Sequence, residues 1–161
     1  MPGDAAPELD LGTLPRSPYG WPLRQLRIPQ AHRVTQGDPA IVVAVIDLGY
    51  NPHPQHEGHL WANPKPTRGD IHGWDCADDD ASLEPTGPEA ARPYYRDHHC
   101  FIVGEVIACA PACPVMIVRT GYRAGPDCWW EAIDYAVEHG ARVLVMPHGF
   151  LSHGAQPDRA P

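Results

Sequence analysis

The stretch Ile41–Tyr50, I-V-V-A-V-I-D-L-G-Y, constrains this chain more than any other. Its first six residues are apolar, and all but Ala44 are β-branched. An unbroken run of that kind reads as a strand buried on both faces, as in a parallel sheet. Asp47 ends the run, and Leu48-Gly49 breaks it, with Gly49 expected to adopt backbone angles that other residues resist. A carboxylate is thus delivered at the C-terminal end of a central strand, where open α/β sheets place ligands and chemistry. The bland alternative is an Asp that caps a turn.

A chain of 161 residues with 43% hydrophobic content can build a domain with a real core. Twelve basic against twenty acidic residues give a net charge of -8, which argues against a nucleic-acid or anionic-membrane partner. No apolar run approaches the length of a membrane span. The start, M-P-G-D-A-A-P-E-L-D, lacks the basic and apolar stretches of a signal peptide. A cytoplasmic location is therefore expected, and a secreted one only if this N-terminus is incomplete. Five Cys, at 76, 100, 109, 113 and 128, contain no C-x-x-C and form neither a disulfide framework nor a zinc ribbon.

Residues 1–18 read as a disordered, Pro-rich arm. Residues 19–33 mix apolar and basic residues between prolines and are expected to pack across the outside of the domain. After Asp47 comes a loop with His53, His56 and His59, then a short acidic segment, Gly69–Asp80, expected to be hairpin-like. His98 opens an apolar run, closed by Pro111, that suits a short buried helix with Asp97 as N-cap and Gly104 allowing close packing. Pro114–Thr120 is a second strand, and Gly121–Pro126 a turn. A helix capped by Asp127 carries Trp129, Ala132, Ile133, Ala136 and Val137 on one face, and Gly140 ends it. Arg142–Met146 is a third strand, and residues 151–161 form a polar tail. The order implies a right-handed βαβαβ arrangement on one parallel sheet.

An Asp at a strand end and a His at the start of the next helix suggest an Asp–His pair. The carboxylate can hold the imidazole in one tautomer, and the imidazole can act as general base.

The motifs, taken together, resemble the N-terminal part of the catalytic domain of a subtilisin-like serine protease (subtilase, peptidase S8 family). The segment P-Q-A-H-R-V-T-Q-G-D-P-A-I-V-V-A-V-I-D-L-G ends in Asp47-Leu48-Gly49, similar to the family's D-T/S-G. L-W-A-N-P (60–64) and D-I-H-G-W-D (70–75) are similar to family segments that follow. Residues 98–104, H-H-C-F-I-V-G, align with the family's H-G-T-H-V-A-G. Residues 132–149 resemble A-I-D-Y-A-x-x-x-G-A-x-V-I-N-M-S-x-G. The resemblance covers roughly residues 19–150 and implies Asp47 and His98 as catalytic residues, with helices on both faces of a parallel sheet.

The departures are specific. Leu48 replaces Thr or Ser; His99, Cys100 and Phe101 replace Gly, Thr and His; Val145 and Pro147 replace the Asn and Ser of N-M-S-x-G. Pro147 has no N–H with which to pair a substrate strand. The family's nucleophile lies in a later G-T-S-M/A-x-x-P motif, preceded by its oxyanion-hole Asn. Ser17, Ser82 and Ser152 have no such context. The expectation is a domain truncated after about half, inactive alone.

Other candidates were weighed. His53, His56 and His59 could hold a metal but read as solvated loop. Asp78-Asp79-Asp80 lacks calcium-loop spacing, and Gln55 removes the carboxylate of the family's H-P-D. Cys100 could be a reactive thiol at a helix start, and a buried structural Cys is the plainer reading. No cofactor and no metal are expected. Expected partners are a peptide or protein substrate or a complementing C-terminal fragment, with possible self-association, and no nucleic acid or membrane. The second functional reading is a pseudoprotease that binds peptide or protein, and a metal-binding regulatory domain is a distant third.

Overall fold

A computed structural model describes residues 20–121 and 125–147. The expected disordered arm, the polar tail, the middle of the 121–126 turn, Ser17 and Ser152 lie outside the described residues.

The chain divides between Gln36 and Gly37 into two compact units. The first contains two five-residue helices, α1 (Trp21–Gln25) and α2 (Ile28–His32). Each has a Pro in its first two positions, where the missing N–H would have no helical partner anyway. The prolines of this segment thus start helices.

The second unit holds the sheet. Strand β1 (Val42–Asp47) is central, β3 (Val115–Arg119) and β4 (Ala141–Val145) flank it, and β2 (Gly73–Asp75) lies beyond β3. All pairings are parallel, with Asp47 opposite Arg119 and Asp75 opposite Arg119 on its other side. The expected α/β fold with a parallel sheet is what forms. The segment read as a hairpin instead contributes a fourth strand, and one antiparallel bridge, Asp75–Asp80, is the hairpin's remnant. Parallel pairing with β3 is a tertiary event that three residues, G-W-D, cannot announce.

The connections carry α3 (Gly87–Ala90), α4 (Pro93–Cys109) and α5 (Pro126–Glu138). Alternate residues of β1 face opposite sides. Ala44 and Ile46 pack with Met116, Val118, Ala132 and Tyr135, so α5 covers that face. Val45 packs with Val103, Val115 and Ile117, so α4 covers the other. Burying each such branched side chain stabilises the fold by about 1.5–3 kcal/mol.

Both long helices start earlier than their sequence suggested. Pro93 opens α4 after an extended Arg92, as a residue before proline should be. Asp97 is therefore inside the helix rather than its cap, and its carboxylate takes Arg96 and the Asn51 amide. Pro126 likewise opens α5, with Gly125 at the N-cap and Asp127 in the first turn, where the helix dipole favours it.

Gly49 matters for space rather than for unusual dihedrals. A Cβ there would sit 2.2–2.4 Å from atoms of Pro85. Gly104 does allow close packing: a Cβ would lie 3.3 Å from His56 Nε2.

Strand β4 has β1 on one side, and among the described residues no strand pairs its other edge. Val143 is 45% exposed. Among the described residues no helix is long and apolar enough to cross a membrane.

Candidate active site

The sheet order places β2 and β3 on one side of β1 and β4 on the other. Connections leaving β1 and β3 therefore diverge at their C-terminal ends, the place where open α/β sheets set their ligand crevices. Asp47 stands at that end of β1, fully buried. Its backbone carbonyl accepts from Thr120 N–H (2.8 Å) and Thr120 Oγ1 (3.2 Å). Its Oδ1 accepts from the Leu48 N–H at 2.7 Å, which fixes the carboxylate's rotation.

Oδ2 then faces α4. His98 Nδ1 lies 2.7 Å from it, within the distance expected of a working Asp–His pair. His98 sits on the second turn of α4, not at its start, with its side chain 18% exposed. A carboxylate accepts, so Nδ1 carries the proton and Nε2 carries the lone pair. That tautomer can accept a proton from a nucleophile and return it to a leaving group. Tyr94, one turn earlier, sets its ring 5.2 Å from the imidazole.

Beside this pair lies an ion cluster that the sequence reading missed. Arg119, the residue across from Asp47, is buried at the C-terminal end of β3. Its Nη1 bonds to Asp75 and, at 2.7 Å, to Asp78. Its Nη2 bonds to Thr86 (3.0 Å) and Glu89 (3.2 Å). Burial pushes the Asp75 carboxyl above its ordinary value, against the pull of Arg119. Asp78 is held below the carboxylate range by its hydrogen bonds from Arg119 and Thr86. Arg119 Nε is buried without a partner. The cluster borders a cavity of about 510 Å³, whose lining includes Tyr95, Thr120, Cys76 and Cys128. One signal was available: P-V-M-I-V-R-T carries a lone charge at the end of an apolar run, as I-V-V-A-V-I-D does.

The thiols of Cys76, Cys100, Cys109 and Cys128 are not activated. Burial, and then Asp97, push the Cys100 thiol up, and Cys100 lies inside α4 rather than at its start. Burial raises Cys76 to about 12 and Cys128 to about 11. The histidine-rich loop is less solvated than expected. His56 is buried and bonded to Tyr50 Oη at 3.0 Å, because Tyr50 and α4 fold over it. His53 accepts from the Gln55 N–H, and His59 Nδ1 donates to the Pro111 carbonyl. Among the described residues no group of three His, Cys, Asp or Glu could hold a metal ion. Ser82 is exposed, its N–H donating to Asp80.

No protein-family model matches this chain, and no curated protein does. Among solved structures it is similar to a lanthipeptide protease, at a TM-score of 0.55 and 19% sequence identity. The match covers 76% of this chain and 32% of the other. The likeness is one of fold. The chain thus spans about a third of the length of the protease it matches.

Proposed function

We propose that Asp47 and His98 are the Asp and His of a subtilisin-like serine endopeptidase site. The observation that carries this reading is the 2.7 Å bond between His98 Nδ1 and a fully buried Asp47 carboxylate at the C-terminal end of the central strand. The motif order in the sequence and a fold shared with a protease support it. His98 is the general base; Asp47 orients it and stabilises its protonated form.

Nucleophile and oxyanion donors, the largest catalytic contributions, have no counterpart motif in these 161 residues. On this reading they come from polypeptide beyond these residues, continuous or separate. Two features give such a segment somewhere to dock. Residues 100–109 of α4 are mostly apolar, yet Phe101 is 68% exposed, whereas the apolar residues of α5 gather on one side. The outer edge of β4 is paired to no strand among the described residues, and an edge of that kind can also template self-association.

A peptide-binding module without turnover is the second reading, favoured by Pro147 in place of a residue able to pair a substrate strand. The deciding experiment is reconstitution. The chain alone shows no turnover of a quenched-fluorescence peptide library. Combined with a polypeptide bearing a G-T-S-x-x-x-P motif, encoded beside or downstream of it, it cleaves the library, and His98→Ala abolishes cleavage. Peptide binding with no cleavage in any combination assigns the module instead. Cleavage by the chain alone that His98→Ala abolishes places a nucleophile inside the chain.

A further inference from the structure

His99, beside the proposed general base, makes two contacts that one neutral imidazole cannot satisfy together. Its side chain is fully buried. Nδ1 lies 2.8 Å from the carbonyl oxygen of Leu48. Nε2 lies 3.2 Å from the carbonyl oxygen of Val45. Carbonyl oxygens only accept. A neutral ring has one N–H donor and one acceptor nitrogen, so only the imidazolium serves both carbonyls. Buried polar groups are, as a rule, paired, and a bare nitrogen against a carbonyl would be repelled.

The two carbonyls bracket Asp47, one two residues before it and one immediately after. The Leu48 peptide unit ties the contacts together. His99 Nδ1–H donates to the Leu48 carbonyl, Leu48 N–H donates to Asp47 Oδ1, and Asp47 Oδ2 accepts from His98 Nδ1. Adjacent residues of α4 therefore hold the same carboxylate from two sides, His98 directly and His99 through the backbone. Tyr50 packs edge-on against the His99 ring at 5.8 Å and limits its rotation. The resembled family has Gly at this position, so the arrangement belongs to this chain's own sequence.

We infer that His99 is a positioning residue, an imidazolium brace whose two N–H groups clamp the backbone on either side of Asp47 and so fix the Asp47–His98 geometry. This rests on the functional reading above only for its effect on turnover. The brace itself is read by spectroscopy.

In the 161-residue protein with ¹⁵N-labelled histidine, both His99 ring nitrogens show protonated-type shifts, and His98 Nδ1–H gives a low-field proton resonance from its bond to Asp47. In His99→Phe, which keeps a ring of similar size, that resonance is lost while the protein still melts cooperatively. In the reconstituted enzyme the same variant lowers kcat by ~100-fold with KM little changed, as a displaced catalytic group does. An unprotonated nitrogen on His99 in the unsubstituted protein overturns the brace, whether or not the variant folds. So does an unchanged His98 resonance in folded His99→Phe. If reconstitution yields no turnover at all, the functional reading fails, and the nitrogen shifts still decide the brace.

Discussion

Among the described residues two buried aspartates each face a histidine, and their surroundings differ. Asp47 sits at the C-terminal end of β1 with His98 at 2.7 Å. Asp70 sits just before β2, near the C-terminal end of α5, with His139 Nε2 at 3.7 Å. Asp70 is saturated by other donors: the Asn63 amide (2.8 Å), the N–H groups of Thr67 (3.0 Å) and Arg68 (3.2 Å), and the Tyr135 hydroxyl (3.0 Å). Burial pushes Asp70 up, yet these bonds outweigh it and hold the carboxyl below its usual range. The two imidazoles are also turned differently. His98 spends its Nδ1–H on the aspartate. His139 spends its own on the Tyr135 carbonyl one turn back, at 2.8 Å, and its ring stacks on Tyr135. In the neutral ring Nε2 then meets Asp70 with a lone pair, which makes no bond. Proximity of Asp and His is therefore not a site. What distinguishes the two pairs is which ring nitrogen the carboxylate engages.

The sharpest way to break this comparison is to remove each histidine. In the reconstituted enzyme, His98→Ala lowers kcat by ~10⁴-fold or more, and Asp47→Asn by a similar factor through loss of the tautomer. His139→Ala leaves kcat within a few-fold. Steady-state kinetics on one peptide substrate checks all three. Comparable losses from His98→Ala and His139→Ala would erase the distinction.

The Asp47–His98 half of this contrast was legible in the sequence, and the Asp70–His139 half was not. A β-branched run marked Asp47 as a strand end, and the resemblance of residues 98–104 to a family motif singled out His98. β3, β4 and α5 were read to within a residue or so, since their apolar periods are long enough to show. The rest depended on tertiary contacts. β2 is three residues whose one strand partner among the described residues is β3. The start of α4 was hidden because its first turn, from Pro93, is polar and the apolar run begins only after His98. Arg119, Asp75, Asp78 and Glu89 converge from separate segments, and no local pattern joins them. Asp70 and Tyr135 are 65 residues apart and were read merely as parts of matching motifs.

The second test takes away the structural carboxylate. Asp70→Ala leaves an amide, two backbone N–H groups and a phenol without their acceptor in a buried site. Each unsatisfied donor costs about 1–3 kcal/mol, and relaxation and water recover part. A net loss of ~3 kcal/mol in urea unfolding is expected. A loss below ~1 kcal/mol would mean that Asp70 does not organise this end of the sheet.

A third, smaller effect lies in the pH dependence of stability. The folded Asp70 carboxyl is held below its unfolded value, so its contribution is complete above about pH 4 and disappears as pH falls through the folded value. The urea midpoint of the wild type should therefore fall on acidification below about pH 5. Asp70→Asn should flatten that acid limb. A residual slope is expected from Asp78 and Asp97, which are also held low but lie nearer solvent, where screening weakens the effect. An acid limb unchanged in Asp70→Asn would contradict the donor count around this carboxylate.

The smallest effect isolates one donor. Burial, and then the Asp70 carboxylate, push the Tyr135 hydroxyl well above its ordinary value, so it remains a donor throughout the working range of pH. Tyr135→Phe keeps the ring, its stacking on Trp74 and its place in the core, and removes only the bond at 3.0 Å. A hydrogen bond to a charged acceptor contributes about 1.5–3 kcal/mol, but the Asn63 amide still holds the same oxygen, so a loss of ~1 kcal/mol near neutral pH is expected. The informative part is the shape. With one donor fewer, the folded carboxyl rises toward its unfolded value. The acid limb should become shallower, and the variant's deficit should shrink as both proteins are acidified. A deficit constant from neutral to acid pH would mean that the phenol acts through packing alone.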